Sequence, residues 1–215
     1  FRRVLFRSLL PAGTTGTLRD TTGAVTSLAA SPAFQRRYAT LTELDAAFPA
    51  GNYAMTVGGS SEVPLAMPSN PYPSAVPQVT AGTWNAAGEL AVDPSRDYAL
   101  TFNLFTDYGS VGVLSSIRVS VYSPTGALVI ERQEFNNQTP APISSLLIPA
   151  GTLAANRRYS VEIQFLTVDA LNPFAVPPSY GVVGGMRETQ FHLQAAVPEP
   201  PAAPTLSAPP VAQTI

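Results

Sequence analysis

The chain carries one histidine, His192, and no cysteine, so few routes to acid–base or nucleophilic chemistry are open to it. A Ser-His-Asp triad would have to be built on His192, because the imidazole is the base that takes the serine proton. His192 lies in a segment, 187–194, where Thr189, Phe191 and Leu193 alternate with Glu188, Gln190 and His192. A period of two puts His192 on the outward face of a strand with Glu188, and predicts a solvated histidine. Glu131 and Glu134 are three apart at a strand end, so alternation sends them to opposite faces and weakens them as a glycosidase pair. Asp93 and Asp97 flank Pro94 and could help a loop calcium site. An Asp-Pro step and an aspartate before a strand are also ordinary turn chemistry, which is the reading adopted. Asn137-Gln138-Thr139 has the N-glycosylation spacing and is read as coincidence. Gly58-Gly59 and Gly184-Gly185 are hairpin or loop glycines. No catalytic residue, metal ligand or cofactor is assigned.

Binding by aromatic rings is the stronger possibility. Trp84, Tyr108, Phe174 and Tyr180 all fall in predicted loops or short connections. Rings on the loops of a rigid sandwich are a common way to hold sugars or partner proteins. The best placed is the 169–186 loop, which contains Asn172-Pro173-Phe174 and Pro177-Pro178-Ser179-Tyr180 and is longer than most connections. The plainer alternative is that these rings fold back over the end of the core, and Trp84 is read as such a plug.

The elements that must position these residues are strands. Pro and Gly together are 37 of 215 residues, a density that breaks helices and punctuates short strands. Charged residues are only 12%, all the basic ones are Arg, and the net charge of −2 argues against a nucleic-acid partner. No stretch approaches the roughly 18–20 apolar residues needed to span a bilayer. The opening FRRVLFRS resembles the in-frame translation of a sequencing adaptor, so residues 1–8 are set aside as an artefact. Residues 9–37 are read as an irregular remnant of a preceding region. Thr40 and Glu43 form a capping box for a helix over 41–48, with Leu41, Leu44 and Phe48 at helical spacing. Segments 53–57 and 63–67 make a hairpin, completing a leader over 38–75.

From residue 76 the pattern is strand after strand: 78–80, 98–104, 117–121 paired with 128–130, 145–148, 158–168 and 187–194. Leu100, Phe102 and Leu104 are expected on one face. Tyr159, Val161, Ile163 and Phe165 are expected inward, with Ser160, Glu162 and Gln164 outward. Some seven short strands without intervening helices predict an all-β antiparallel sandwich over 76–196, followed by a Pro-rich linker, 197–215, running into a possible first strand of a further module.

Residues 144–161, SSLLIPAGTLAANRRYSV, resemble the strand–loop–strand signature of fibronectin type III-like domains, an immunoglobulin-like class. The resemblance implies that Tyr159 is a corner tyrosine, its ring in the core and its hydroxyl bonded to backbone upstream. It also places Phe102 where that family often has a core tryptophan. The fold implies little about activity. The expectation is a non-catalytic structural or interaction module, a spacer or adhesive unit of an exported, cell-surface bacterial protein with further modules on both sides. The alternative is a carbohydrate-binding module serving a polysaccharide-degrading enzyme. A polysaccharide or another surface protein is the expected partner. A small hydrolase ranks last, since it would need His192 within hydrogen-bond reach of a serine or aspartate.

Overall fold

A computed structural model describes residues 2–7, 15–28, 33–38, 40–58, 62–69, 72–173 and 180–196. Among the described residues the protein is all-β apart from one short helix. No helix among the described residues is long and apolar enough to cross a membrane.

The main sheet is organised around two long strands, β13 (Arg157–Pro173) and β14 (Tyr180–Ala195), which form a hairpin. Strands β10 (Leu114–Tyr122) and β11 (Leu128–Phe135) add to its β13 side in the order β11-β10-β13-β14. The turn between β10 and β11 is set by Ser123-Pro124-Thr125-Gly126, with Gly126 at φ 82° where a side chain would be strained. Beyond β14 lie β8 (Leu90–Val92) and β7 (Thr83–Trp84). The β8–β14 pairing is parallel, with Leu90 opposite Leu193, so the expected purely antiparallel sandwich is corrected at this edge. A parallel neighbour requires a crossover, and β10, β11 and β13 all intervene in the chain between the two strands.

A smaller layer of β9 (Tyr98–Thr101) and β12 (Ser145–Ile148) contributes Leu100, Leu146 and Ile148 to the same core as the inward face of the main sheet. Ile117, Val119, Val121, Tyr159, Val161, Ile163 and Phe165 are all buried there, as alternation predicted. Each such side chain contributes about 1.5–3 kcal/mol on leaving water. Phe105 stacks on Phe165 with ring centroids 4.7 Å apart, and Phe102 tilts against Phe165 at 6.3 Å. The strand expected over 98–104 ends at Thr101, with Phe102 held by an isolated bridge to Val79. Alternation therefore stops, so Leu104 is exposed and Phe105 takes the core position instead.

Two other expectations are corrected. The region 9–37, read as irregular, contains β2 (Gly16–Arg19), β3 (Val25–Leu28) and β4 (Ala33–Arg37). Asp20 closes the β2–β3 turn, its Oδ1 accepting from the Thr22 and Ala24 amides and the Thr22 hydroxyl. Residues set aside at the N-terminus form β1 (Arg2–Arg7), which pairs with both β4 and β14. The hairpin of β5 (Gly51–Val57) and β6 (Val63–Met67) is found as expected, but β2 and β3 extend it into a four-stranded sheet, β3-β2-β5-β6. That sheet buries Leu18, Tyr53, Met55, Val63, Leu65 and Met67 against Val183 of β14.

The second concerns 169–186, read as a loop. Most of it is strand: β13 continues to Pro173 and β14 begins at Tyr180. Pairing continues past a register shift between Val168 and Ala170, so the hairpin outgrows the sandwich and reaches the second sheet. Gly184 makes this possible, because a Cβ on it would lie 2.1 Å from the Thr167 carbonyl oxygen. The helix α1 (Leu41–Ala47) starts at the expected capping box: Thr40 Oγ1 accepts from the Glu43 amide at 3.2 Å, and Glu43 accepts from the Thr40 amide at 3.1 Å. Burial of Leu44 and a hydrogen bond from the Tyr72 hydroxyl to Asp45 (2.8 Å) tie the helix down.

Candidate functional site

Of the four loop aromatics, the two whose side chains are described, Trp84 and Tyr108, do not come together. Tyr108 is buried at 8% exposure, edge-on to Phe105 at 6.0 Å, and belongs to the core. Its hydroxyl is buried without a hydrogen-bond partner, and burial first and the nearby Glu134 charge second push its pKa up. Trp84, read as a core plug, is instead 45% exposed on the two-residue edge strand β7, edge-on to Phe191 at 5.7 Å. A short edge strand has no neighbour on its far side to cover the ring. Phe174 lies outside the described residues. Tyr180 pairs with Pro173 at the start of β14, its side chain outside the description.

The residues read as structural sit as expected in the chain. Tyr159 is buried and its hydroxyl oxygen accepts from the Ala154 amide at 2.7 Å. Phe102 is buried. Asp93 acts in a turn, accepting from the Ser95 amide (2.9 Å) and hydroxyl (2.6 Å), while Asp97, just before β9, accepts from the distant Ala150 amide just beyond β12 (2.8 Å). The Ser95 hydroxyl is the main cause that lowers the Asp93 pKa. No group of three or more His, Asp or Glu among the described residues is placed to hold a metal ion. Glu131 and Glu134 do diverge: Glu131 accepts from Ser120, while Glu134 accepts from Thr139 and Arg132, which lower its pKa in that order. Asn137 is exposed in a turn.

The polar side chains converge on the outer face of the main sheet. Register places Gln133, Arg118, Gln164 and Glu188 in one row across four strands, and Glu131, Ser120, Glu162 and Gln190 in the next. Tyr122, Ser160 and His192 make a third row. Arg118 Nε donates to Gln164 Oε1 at 3.0 Å, and Gln164 Nε2 donates to Glu188 and, at 3.4 Å, to Glu162. Gln190 Nε2 donates to Glu162 at 2.6 Å, and Ser120 Oγ donates to Glu131 at 2.9 Å. So bonded, Gln164 is only 5% exposed although it points away from the core, and Ser120 is fully buried. The network continues onto the β7–β8 hairpin, where Glu89 accepts from Arg158 Nε (2.7 Å) and Asn85 Nδ2 (3.1 Å). Sequence alternation marked 160, 162, 164, 188, 190 and 192 as outward, but not Arg118's or Glu131's place beside them, because strand order is not written in a period of two.

His192 does meet a serine: its Nδ1 lies 3.5 Å from Ser160 Oγ across the β13–β14 pair, a long and weak contact. Glu89, which precedes the strand adjoining this end of β14, gives its oxygens to Arg158 and Asn85. The arrangement thus has the first link of a triad and not the second.

A separate groove of about 420 Å³ lies on the second sheet, lined by Arg19, Asp20, Asn52, Tyr53, Ala54, Glu62 and Pro64. An Arg19–Glu62 ion pair lies along it, raising the arginine pKa and lowering the glutamate's, chiefly through the side-chain hydrogen bond between them. No protein-family model matches this chain, and no curated protein matches it either.

Proposed function

We propose that the chain is a non-catalytic structural or interaction module of a multi-domain exported protein, a fibronectin type III-like unit that positions or attaches other domains. The observation that carries this reading is the outer sheet face. Its charged groups are tied down by hydrogen bonds, Arg118 and Glu188 through the Gln164 amide and Arg158 directly to Glu89. Nucleophilic catalysis asks instead for a base held by a third group and aimed at a nucleophile. Among the described residues, His192 makes only its 3.5 Å contact with Ser160. Assays with ester, peptide and glycoside substrates test the reading: turnover above blank that disappears in His192→Ala would overturn it.

The second reading, a carbohydrate-binding module, is favoured by one specific feature. Trp84 is an exposed ring on a hairpin braced by hydrogen bonds between Asn85 and Glu89, and held edge-on by Phe191. Amphipathic rings held in this way stack on sugars.

A further inference from the structure

The middle of the outer sheet face carries no large apolar side chain. Its two central rows, from β11 to β14, contain only Arg, Glu, Gln and Ser. Water alone is a sufficient partner for such a face in an antiparallel sheet. What sets this one apart is that its amides and carboxylates are already oriented by each other: Gln164 is fixed from Arg118, Glu162 and Glu188, and Gln190 is fixed on Glu162.

We propose that this face binds a neutral polysaccharide chain laid across the strands, an inference that rests on the interaction-module reading. Four arguments point to that occupant. A sugar hydroxyl both donates and accepts, and Arg118, Gln133, Glu131, Glu162, Glu188 and Gln190, all exposed or half-buried, offer donors and acceptors on neighbouring strands roughly 4.8 Å apart, with Gln164 and Ser120 buried between them. The side chains lose little rotamer freedom on binding because they are already held, which removes a main cost of association. The two central rows carry Arg118 against Glu131, Glu162 and Glu188, an acidic balance that repels an anionic polymer. A protein partner would need buried aromatic or aliphatic anchors, and the two central rows supply none. Tyr122 and His192, half-buried at the border of the face, add rings against which the C–H surface of a sugar can lie.

The test is affinity electrophoresis of the full chain through gels containing dissolved neutral polysaccharides (a β-glucan, a xylan, a mannan and starch), with anionic alginate as the contrast. The expected result is retardation by at least one neutral polymer, weakened about two- to tenfold by Gln190→Ala, the loss of one well-placed hydrogen-bonding group. Gln190 is exposed, so this variant should melt like the native chain and keep the result readable; Glu162→Gln is the second variant. Trp84→Ala should leave the retardation in place. Migration unchanged in every neutral gel, or retardation by alginate alone, overturns the proposal. Loss confined to Trp84→Ala moves the ligand to the sheet edge and overturns it too, while the interaction-module reading stands. Cleavage of a polymer that depends on His192 would bring down that reading itself.

Discussion

The Ala154 backbone amide donates to the hydroxyl oxygen of Tyr159 at 2.7 Å, so one side chain fills the core and also pins the turn that leads into β13. Neighbouring Asn156 adopts a positive φ of 58°, unusual for a residue other than glycine, and its amide donates to the Ala195 carbonyl. Tyr159→Phe keeps the ring and removes the acceptor. It should destabilise the protein by about 0.5–1.5 kcal/mol in urea unfolding. An unchanged midpoint would show that the bond contributes nothing net.

Gln164 and Arg118 should be energetically coupled. Their hydrogen bond is partly buried, and removing either leaves the other's polar atoms short of a partner. A double-mutant cycle with Arg118→Ala and Gln164→Ala should give a coupling of about 0.5–1.5 kcal/mol. A value near zero would mean that the outer-face network is a loose solvated layer.

Gly184→Ala should be costly although the change is one methyl group. The added Cβ would meet the Thr167 carbonyl oxygen, which is backbone and cannot swing aside. Overpacking of this kind costs about 1–3 kcal/mol, and thermal melting should show it as a clear drop in Tm. The same substitution at Gly185 is a useful comparison.

Acid should weaken the turn at Asp93. Its pKa is lowered in the folded chain from the ordinary 3.8, first by the Ser95 hydroxyl and then by the Ser95 amide. For a lowered carboxylate, the stabilisation is complete above the unfolded value and fades as pH falls through the folded one. Melting curves between about pH 5 and pH 2 should therefore fall less steeply for Asp93→Asn than for the native chain. Parallel slopes would rule out the contribution.

Much of the core was legible because period-two alternation survives wherever one face is dry. Ile117, Val119 and Val121, and Tyr159 to Phe165, were placed inward by that pattern alone and are buried. The capping box was equally local, with both of its hydrogen bonds made between Thr40 and Glu43. The Asp20 turn was legible and passed over: Asp-Thr-Thr-Gly between Leu18 and Val25 is a hairpin signal, hidden by the Thr- and Gly-rich composition around it. The length of the β13–β14 hairpin was not, because Asn172, Pro173 and the paired glycines read as loop until the second sheet supplies something for them to pack on.

Local pattern thus determined the all-β class, the inward positions and the caps and turns, since each depends on residues within a few positions of one another. Strand order, the parallel β8–β14 edge, the exposure of Trp84 and the joining of Arg118, Gln164, Glu162 and Glu188 into one face were decided only in the folded chain. These features depend on which distant segments share a sheet. A two-residue period says which way a side chain faces, and the neighbours on that face are chosen by the packing of the whole molecule.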